Sequence, residues 1–149
     1  MKEQWKKLAL LFVIACSLRL AYAALGLPVP LQDTPDYDEL ALNILSGEGF
    51  VSHANWHGFA MYSWRPPFYS FFLAAVYGAL GYSHAAVQVI QAGVGAATVV
   101  LLWCVVRRFC VAAAWPAALF AALYGPLVSI CSEIMSECFF TFWVLLALW

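Results

Sequence analysis

Five of the chain's eight acidic residues, Asp33, Asp36, Asp38, Glu39 and Glu48, fall within LQDTPDYDELALNILSGEGF (residues 31–50), and Arg65 follows in Trp64-Arg65-Pro66-Pro67. Asp33, Asp36 and Asp38 could supply a general base that takes a proton from an acceptor hydroxyl as a new bond forms, assistance worth about 10²–10⁴-fold. They could also ligate a divalent cation, although nothing in their spacing indicates one. The competing reading is structural: acids in a first helical turn cap the helix and complement its dipole. Acidic first turns are common, so spacing alone favours capping over catalysis. Arg65 could grip a phosphate with its planar fork or serve as a topological anchor. Glu133 and Glu137 stand at i and i+4, which share one helix face. A carboxylate entering a membrane segment is costly and marks a functional position, unless Glu133 lies in an interfacial loop and Glu137 caps or snorkels. His53, His57 and His84 have no ligand spacing among them and read as polar loop residues.

The elements that must position these groups are overwhelmingly apolar. Hydrophobic residues make up 65% and charged residues 10% of the 149, with a mean hydropathy of +0.84. Soluble domains carry about 25% charged residues, so the fold class is all-α integral membrane. A net charge of −1 without a basic patch excludes a nucleic-acid partner. The five cysteines, Cys16, Cys104, Cys110, Cys131 and Cys138, lie in or beside apolar segments and form no C-x-x-C pair. They read as small buried hydrophobes.

Leu8–Leu27 is a run long enough to cross a hydrocarbon core of about 30 Å, with Arg19 near its far end, where it can snorkel. Ala21-Tyr22-Ala23 imitates a signal-peptide cleavage site, but Arg19 and the apolar chain downstream favour a retained span. The lysines at 2, 6 and 7 place the N-terminus in the cytoplasm and the loop 28–66 outside. Pro28 and Pro30 stop this span. A short helix follows, capped by Thr34 or Asp33, with Pro35 in its first turn and Ser46-Gly47 at its end. Tyr37, Leu40, Ala41, Ile44 and Leu45 form one apolar stripe, so this juxtamembrane helix is expected to lie on the outer face, stripe down and acids toward water. Val51–Trp64 reads as an aromatic loop at headgroup depth.

No charged residue occurs from Pro66 to Val106, which allows two crossings, about Pro67–Leu80 and Ala85–Val106. Phe109–Ser132 holds a fourth span ending at Tyr124-Gly125-Pro126, and a fifth apolar segment begins near Glu133. The expectation is a polytopic helical bundle of about five transmembrane segments. Three crossings from a cytoplasmic N-terminus put Arg107-Arg108 outside, against the positive-inside tendency. Either the first span alone sets the orientation, or Pro67–Leu80 does not fully cross. The segment after Glu137 is too short for a full crossing at about 1.5 Å per residue, so the chain is expected to be the N-terminal part of a larger protein.

Four motifs in order resemble the N-terminal region of the polyprenol-phosphate-sugar-dependent membrane glycosyltransferases of the GT-C superfamily, including the dolichyl-phosphate-mannose–protein mannosyltransferase-like and aminoarabinose-transferase-like branches. They are Leu18-Arg19-Leu20; Asp33-x-x-x-Tyr37-x-x-Leu40-Ala41-x-x-Ile44-Leu45-x-Gly47-x-Gly49-Phe50; Arg65-Pro66-Pro67-Phe68-Tyr69-x-x-Phe72-Leu73-Ala74; and Ser136-Glu137-x-x-x-Thr141-Phe142. Ser70 stands where the family has a proline, and Asp38-Glu39 makes the loop more acidic than the pattern requires. The resemblance covers nearly the whole chain, which would be the truncated N-terminal part (1–149) of a GT-C-type transmembrane domain. It implies transfer of a sugar, with inversion, from a polyprenyl-phosphate-linked donor to a lipid, glycan or protein acceptor on the extracytoplasmic face, at a bacterial inner membrane and without an indicated cofactor. Asp33 aligns with the family's base, with Asp36 as the fallback, and Tyr37, Arg65 and Glu137 would bind substrate. The alternatives are a non-catalytic membrane subunit or inactive relative that contacts only lipid or another chain, and, ranked last, a transporter, because the charges gather at segment edges rather than at mid-membrane.

Overall fold

The computed structural model describes residues 2–26, 33–53, 59–62 and 65–149. Among them are seven α-helices and one two-stranded antiparallel ribbon. The chain divides into two compact units, residues 1–28 with 88–149, and residues 29–87.

The first unit contains α1 (Lys2–Ala24), most of α4 (His84–Phe109), α5 (Val111–Leu123), α6 (Gly125–Ser129), a 3₁₀ turn (Ile130–Ser132) and α7 (Glu137–Leu148). Its core joins Leu8, Leu11 and Ala15 of α1 to Ala96, Val99 and Trp103 of α4 and to Ala114, Ala118, Ala121 and Ala122 of α5. The alanines let the helix backbones approach closely, which is how helices pack when dispersion rather than water drives association. Glutamines of α4 tie down the segment after α6: Gln88 Nε2 donates to Ser132 O at 2.7 Å, and Gln91 Nε2 donates to Cys131 O at 3.0 Å and Glu133 O at 2.6 Å.

Among the described residues two helices are long and apolar enough to cross a membrane: α1 over Glu3–Ala24, with mean hydropathy 1.8, and α4, with 2.2. The other expected spans take different forms. Tyr124, extended at φ −68° and ψ 111°, ends α5, and Pro126 opens α6 at a 62° bend, so the fourth segment is broken rather than continuous. α3 (Pro67–Leu80) and α7 have 14 and 12 residues. At about 1.5 Å per residue they fall short of a core of about 30 Å. The fifth helix starts at Glu137 rather than near Glu133, because Glu133 is itself extended, at φ −96° and ψ 145°.

The second unit packs α2 (Thr34–Ser46) on α3. Tyr37, Leu40 and Ala41 of the expected stripe are buried there, with the Tyr37 ring edge-on to Tyr69 at 4.9 Å. α3 approaches so closely at Gly78 that a Cβ there would stand 3.2 Å from Leu45 Cδ2. α2 ends where Gly47 turns left-handed, at φ 86°, and the N–H groups of Gly47 and Glu48 bond Ile44 O and Asn43 O. The chain then forms β1 (Val51–Ser52) and β2 (Met61–Tyr62), paired Val51↔Tyr62 and Ser52↔Met61, where an irregular aromatic loop was expected. Pro28, Pro30, Trp56, His57 and Trp64 lie outside the described residues.

Candidate functional site

The N-terminus of α2 and the residue pair before α3 bring two carboxylates onto one guanidinium. Arg65 Nη2 lies 2.5 Å from Asp33 Oδ1 and 2.8 Å from Asp36 Oδ2, and Nε donates to the same Asp36 oxygen at 3.1 Å. Asp36 Oδ2 is thus held by two prongs of the fork, and Asp33 by one. Burial works against the guanidinium's charge. The hydrogen bond to Asp36 and the fields of Asp33 and Asp36 outweigh it and hold the Arg65 pKa above its ordinary value. The Tyr37 ring lies 5.8 Å from Arg65 Cζ, a cation–π distance. Tyr37 itself is buried.

This pairing changes two expectations. Asp33 is the N-cap of α2, but neither its side chain nor that of Thr34 caps the helix, because the Asp33 carboxylate is drawn to Arg65 and Thr34 Oγ1 is buried without a partner. Arg65 is engaged by carboxylates, so a phosphate would compete with Asp33 and Asp36 for its Nε and Nη2.

A second cluster centres on Asp38, which was expected to face water and is 8% exposed. Its carboxylate accepts from Tyr77 Oη at 2.6 Å and Tyr82 Oη at 2.9 Å, and His84 Nε2 lies 2.7 Å from Oδ2. Burial, then the hydrogen bond to Asp38 and its charge, raise the Tyr82 phenol pKa. His84 is accordingly not a free loop residue. It opens α4 and closes a staple from α2 through α3. Glu39 does similar work at the ribbon, accepting from Ser52 Oγ at 2.6 Å and from the His53 backbone N–H at 2.7 Å.

Asp33, Asp36, Tyr37 and Arg65 therefore come together in one unit. Glu137 belongs to the other. It occupies the first turn of α7, where Oε2 is buried without a partner. Glu133 precedes that helix in extended chain, so the two acids do not share a helix face as their spacing suggested. Glu133 still senses Glu137: burial and then the Glu137 charge push the Glu133 carboxyl pKa upward.

Arg19 is the further departure. It is 2% exposed and does not snorkel; Nη1 donates to Ala15 O at 3.0 Å, and Nε has no partner. Cys131 and Cys138 are buried, with sulfurs 3.6 Å apart, whereas Cys110 is exposed and does not fit the expectation of a buried thiol. Among the described residues no group of three or more His, Cys, Asp or Glu side chains could hold a metal ion. The Asp38 cluster escaped the sequence reading because Tyr77, Tyr82 and His84 stand 39 to 46 residues away. The only local hint was an acid in excess of what a cap requires.

No family model, curated protein or solved structure matches the chain.

Proposed function

We propose that the chain carries the first-loop site of a membrane glycosyltransferase that moves a sugar from a polyprenyl-phosphate-linked donor to a lipid, glycan or protein acceptor. The observation that supports this reading most is the convergence of Asp33, Asp36 and Arg65 on one ion cluster at the start of α2. In the proposed reaction Asp33 takes the proton of the acceptor hydroxyl, and the hydroxyl oxygen attacks the anomeric carbon. The bond to the polyprenyl phosphate breaks with inversion. The ion pair gives this scheme an order of events. While Arg65 holds Asp33, the carboxylate oxygen is occupied; a donor phosphate that takes over the guanidinium frees it.

In this reading α3, the bent α5–α6 pair and α7 join α1 and α4 as membrane segments, which makes five. α2 is a juxtamembrane helix of an extracytoplasmic loop spanning residues 28–66. The N-terminus lies in the cytoplasm of a bacterial cell, and the bundle sits in its inner membrane among lipids.

A specific observation favours a second reading, a non-catalytic membrane subunit or inactive relative. Both carboxylates are already bonded to Arg65, as in a purely structural clamp. Transfer of radiolabelled sugar from a polyprenyl phosphate in membranes holding the protein from its complete reading frame separates the two. The enzyme reading expects Asp33→Asn to abolish transfer at unchanged protein level. Full transfer by Asp33→Asn removes Asp33 as the base, and absence of transfer by the unaltered protein across donor sugars leaves the clamp.

A further inference from the structure

We propose that the cavity beside Arg19 is a binding site for a single-chain anionic amphiphile, whose oxyanion head pairs with the guanidinium and whose tail lies along the apolar wall. The cavity has a volume of about 350 Å³, is partly open, and belongs wholly to the unit built from α1 and α4–α7. Arg19 is the only charged residue among the described residues that line it. A guanidinium in such surroundings is costly unless it is paired, and an ionisable group in a membrane segment marks a functional position. Yet Arg19 makes no ion pair with a carboxylate among the described residues, and its buried Nε has no oxygen or nitrogen partner, only the Cys131 thiol beside it across Gly95.

The remaining wall points to the kind of ligand. The hydroxyls of Thr98 and Thr141 donate back to Val94 O at 2.9 Å and Glu137 O at 2.8 Å, so their protons are already committed. Leu102, Leu127 and Leu145 present carbon. Space at the guanidinium depends on Gly95, where a Cβ would stand 2.7 Å from Arg19 Nε and 2.5 Å from Cys131 Sγ. A volume of 350 Å³ corresponds to roughly a dozen groups of the size of a water molecule, about 30 Å³ each in the liquid. That holds a carboxylate or phosphate head with the first part of one chain, and the open side lets a longer chain continue. A small inorganic anion would satisfy the charge and leave the carbon wall uncovered.

This site lies in a different unit from the Asp33–Asp36–Arg65 cluster and requires no transferase activity. The test is native mass spectrometry of the whole chain in neutral detergent, titrated with oleate, lysophosphatidate, neutral monooleoylglycerol or inorganic phosphate. One equivalent of oleate or lysophosphatidate is expected to bind, the comparison telling carboxylate from phosphate heads, with much weaker retention of monooleoylglycerol and no competition from inorganic phosphate. Arg19→Met is expected to weaken oleate binding roughly tenfold or more, as loss of a charged hydrogen bond does, and Arg19→Lys to restore part of it. Leu145→Trp, which fills the cavity and leaves the charge, is expected to weaken oleate binding and decides the matter if Arg19→Met does not fold. Equal retention of monooleoylglycerol, full oleate affinity in Arg19→Met or in Leu145→Trp, or displacement of oleate by inorganic phosphate at equal concentration would each overturn the proposal.

Discussion

Removing Arg65 tests whether the two carboxylates at the start of α2 are held or merely close. The guanidinium makes three hydrogen-bond contacts with these two carboxylates, at 2.5, 2.8 and 3.1 Å, with side-chain exposures of 24% for Arg65, 33% for Asp33 and 24% for Asp36. A hydrogen bond to a charged group contributes about 1.5–3 kcal/mol when well sheltered, whereas an exposed ion pair contributes about 0.2–1. A site about a quarter exposed falls between these limits, and Asp36 is held by two prongs. We therefore expect a coupling of about 1.5 kcal/mol between Arg65 and Asp36 and about 1 kcal/mol between Arg65 and Asp33.

The assay is a double-mutant cycle, with Arg65→Gln, Asp36→Asn and the pair, followed by reversible unfolding of the detergent-solubilised chain in a denaturing detergent. Arg65→Lys keeps the charge but has no fork, so it is expected to recover less than half of the coupling to Asp36. Moderate salt should reduce the coupling only partly, because partly buried charges are screened less than exposed ones. A coupling below about 0.3 kcal/mol, within the additivity error of independent sites, would refute the account and with it the notion that a donor phosphate must compete for Arg65.

Four further outcomes follow from the same structure. Asp38→Ala strands the Tyr77 hydroxyl and leaves Tyr82 Oη and His84 Nε2 only each other, at 3.0 Å, so thermal unfolding should show a loss of about 1–3 kcal/mol, with Tyr82→Phe costing about 1. The raised Tyr82 pKa means that folding holds the phenol protonated, so this stability is complete below the ordinary value of 10.0 and is lost as pH rises through the higher folded value; alkaline unfolding should move to higher pH in Tyr82→Phe. Glu133 is raised above 4.5 by burial and Glu137, so stability should decline as pH climbs from that value through the folded one, and a melting series from pH 4 to 8 should flatten in Glu133→Gln. Gly95→Ala puts a methyl group 2.5 Å from Cys131 Sγ and 2.7 Å from Arg19 Nε, an overpacking expected to cost about 1–3 kcal/mol, with part of the loss recovered by adding Cys131→Ala.

What could be read from the sequence was whatever a few neighbouring residues decide among themselves. Thr34-Pro35 at one end and Ser46-Gly47 at the other bound α2, because a proline fits a first turn and a glycine takes the left-handed turn that ends one. An uncharged run likewise gave the helix at about Pro67–Leu80, although its 14 residues fall short of the crossing that was expected. What could not be read was decided by partners distant in sequence. The Asp33 carboxylate has a local option, capping α2, and an option 32 residues away, Arg65; the fork wins because it offers a full opposite charge, whereas the helix N-terminus offers only a partial one. Arg19 shows the reverse failure. Its long stem allows snorkelling, but burial follows once the 3₁₀ turn carrying Cys131 and the side-chain-free surface of Gly95 enclose it. Asp38 and Arg19 were thus misplaced for one physical reason. Local rules assign an ionisable side chain to water by default, and only tertiary packing can supply either the three donors that make burial tolerable at Asp38 or the open cavity that leaves Arg19 still short of a partner. The first is a solved problem of folding and reads as architecture. The second is unsolved within the chain's own described residues, and that is the physical reason to seek its partner among anionic ligands.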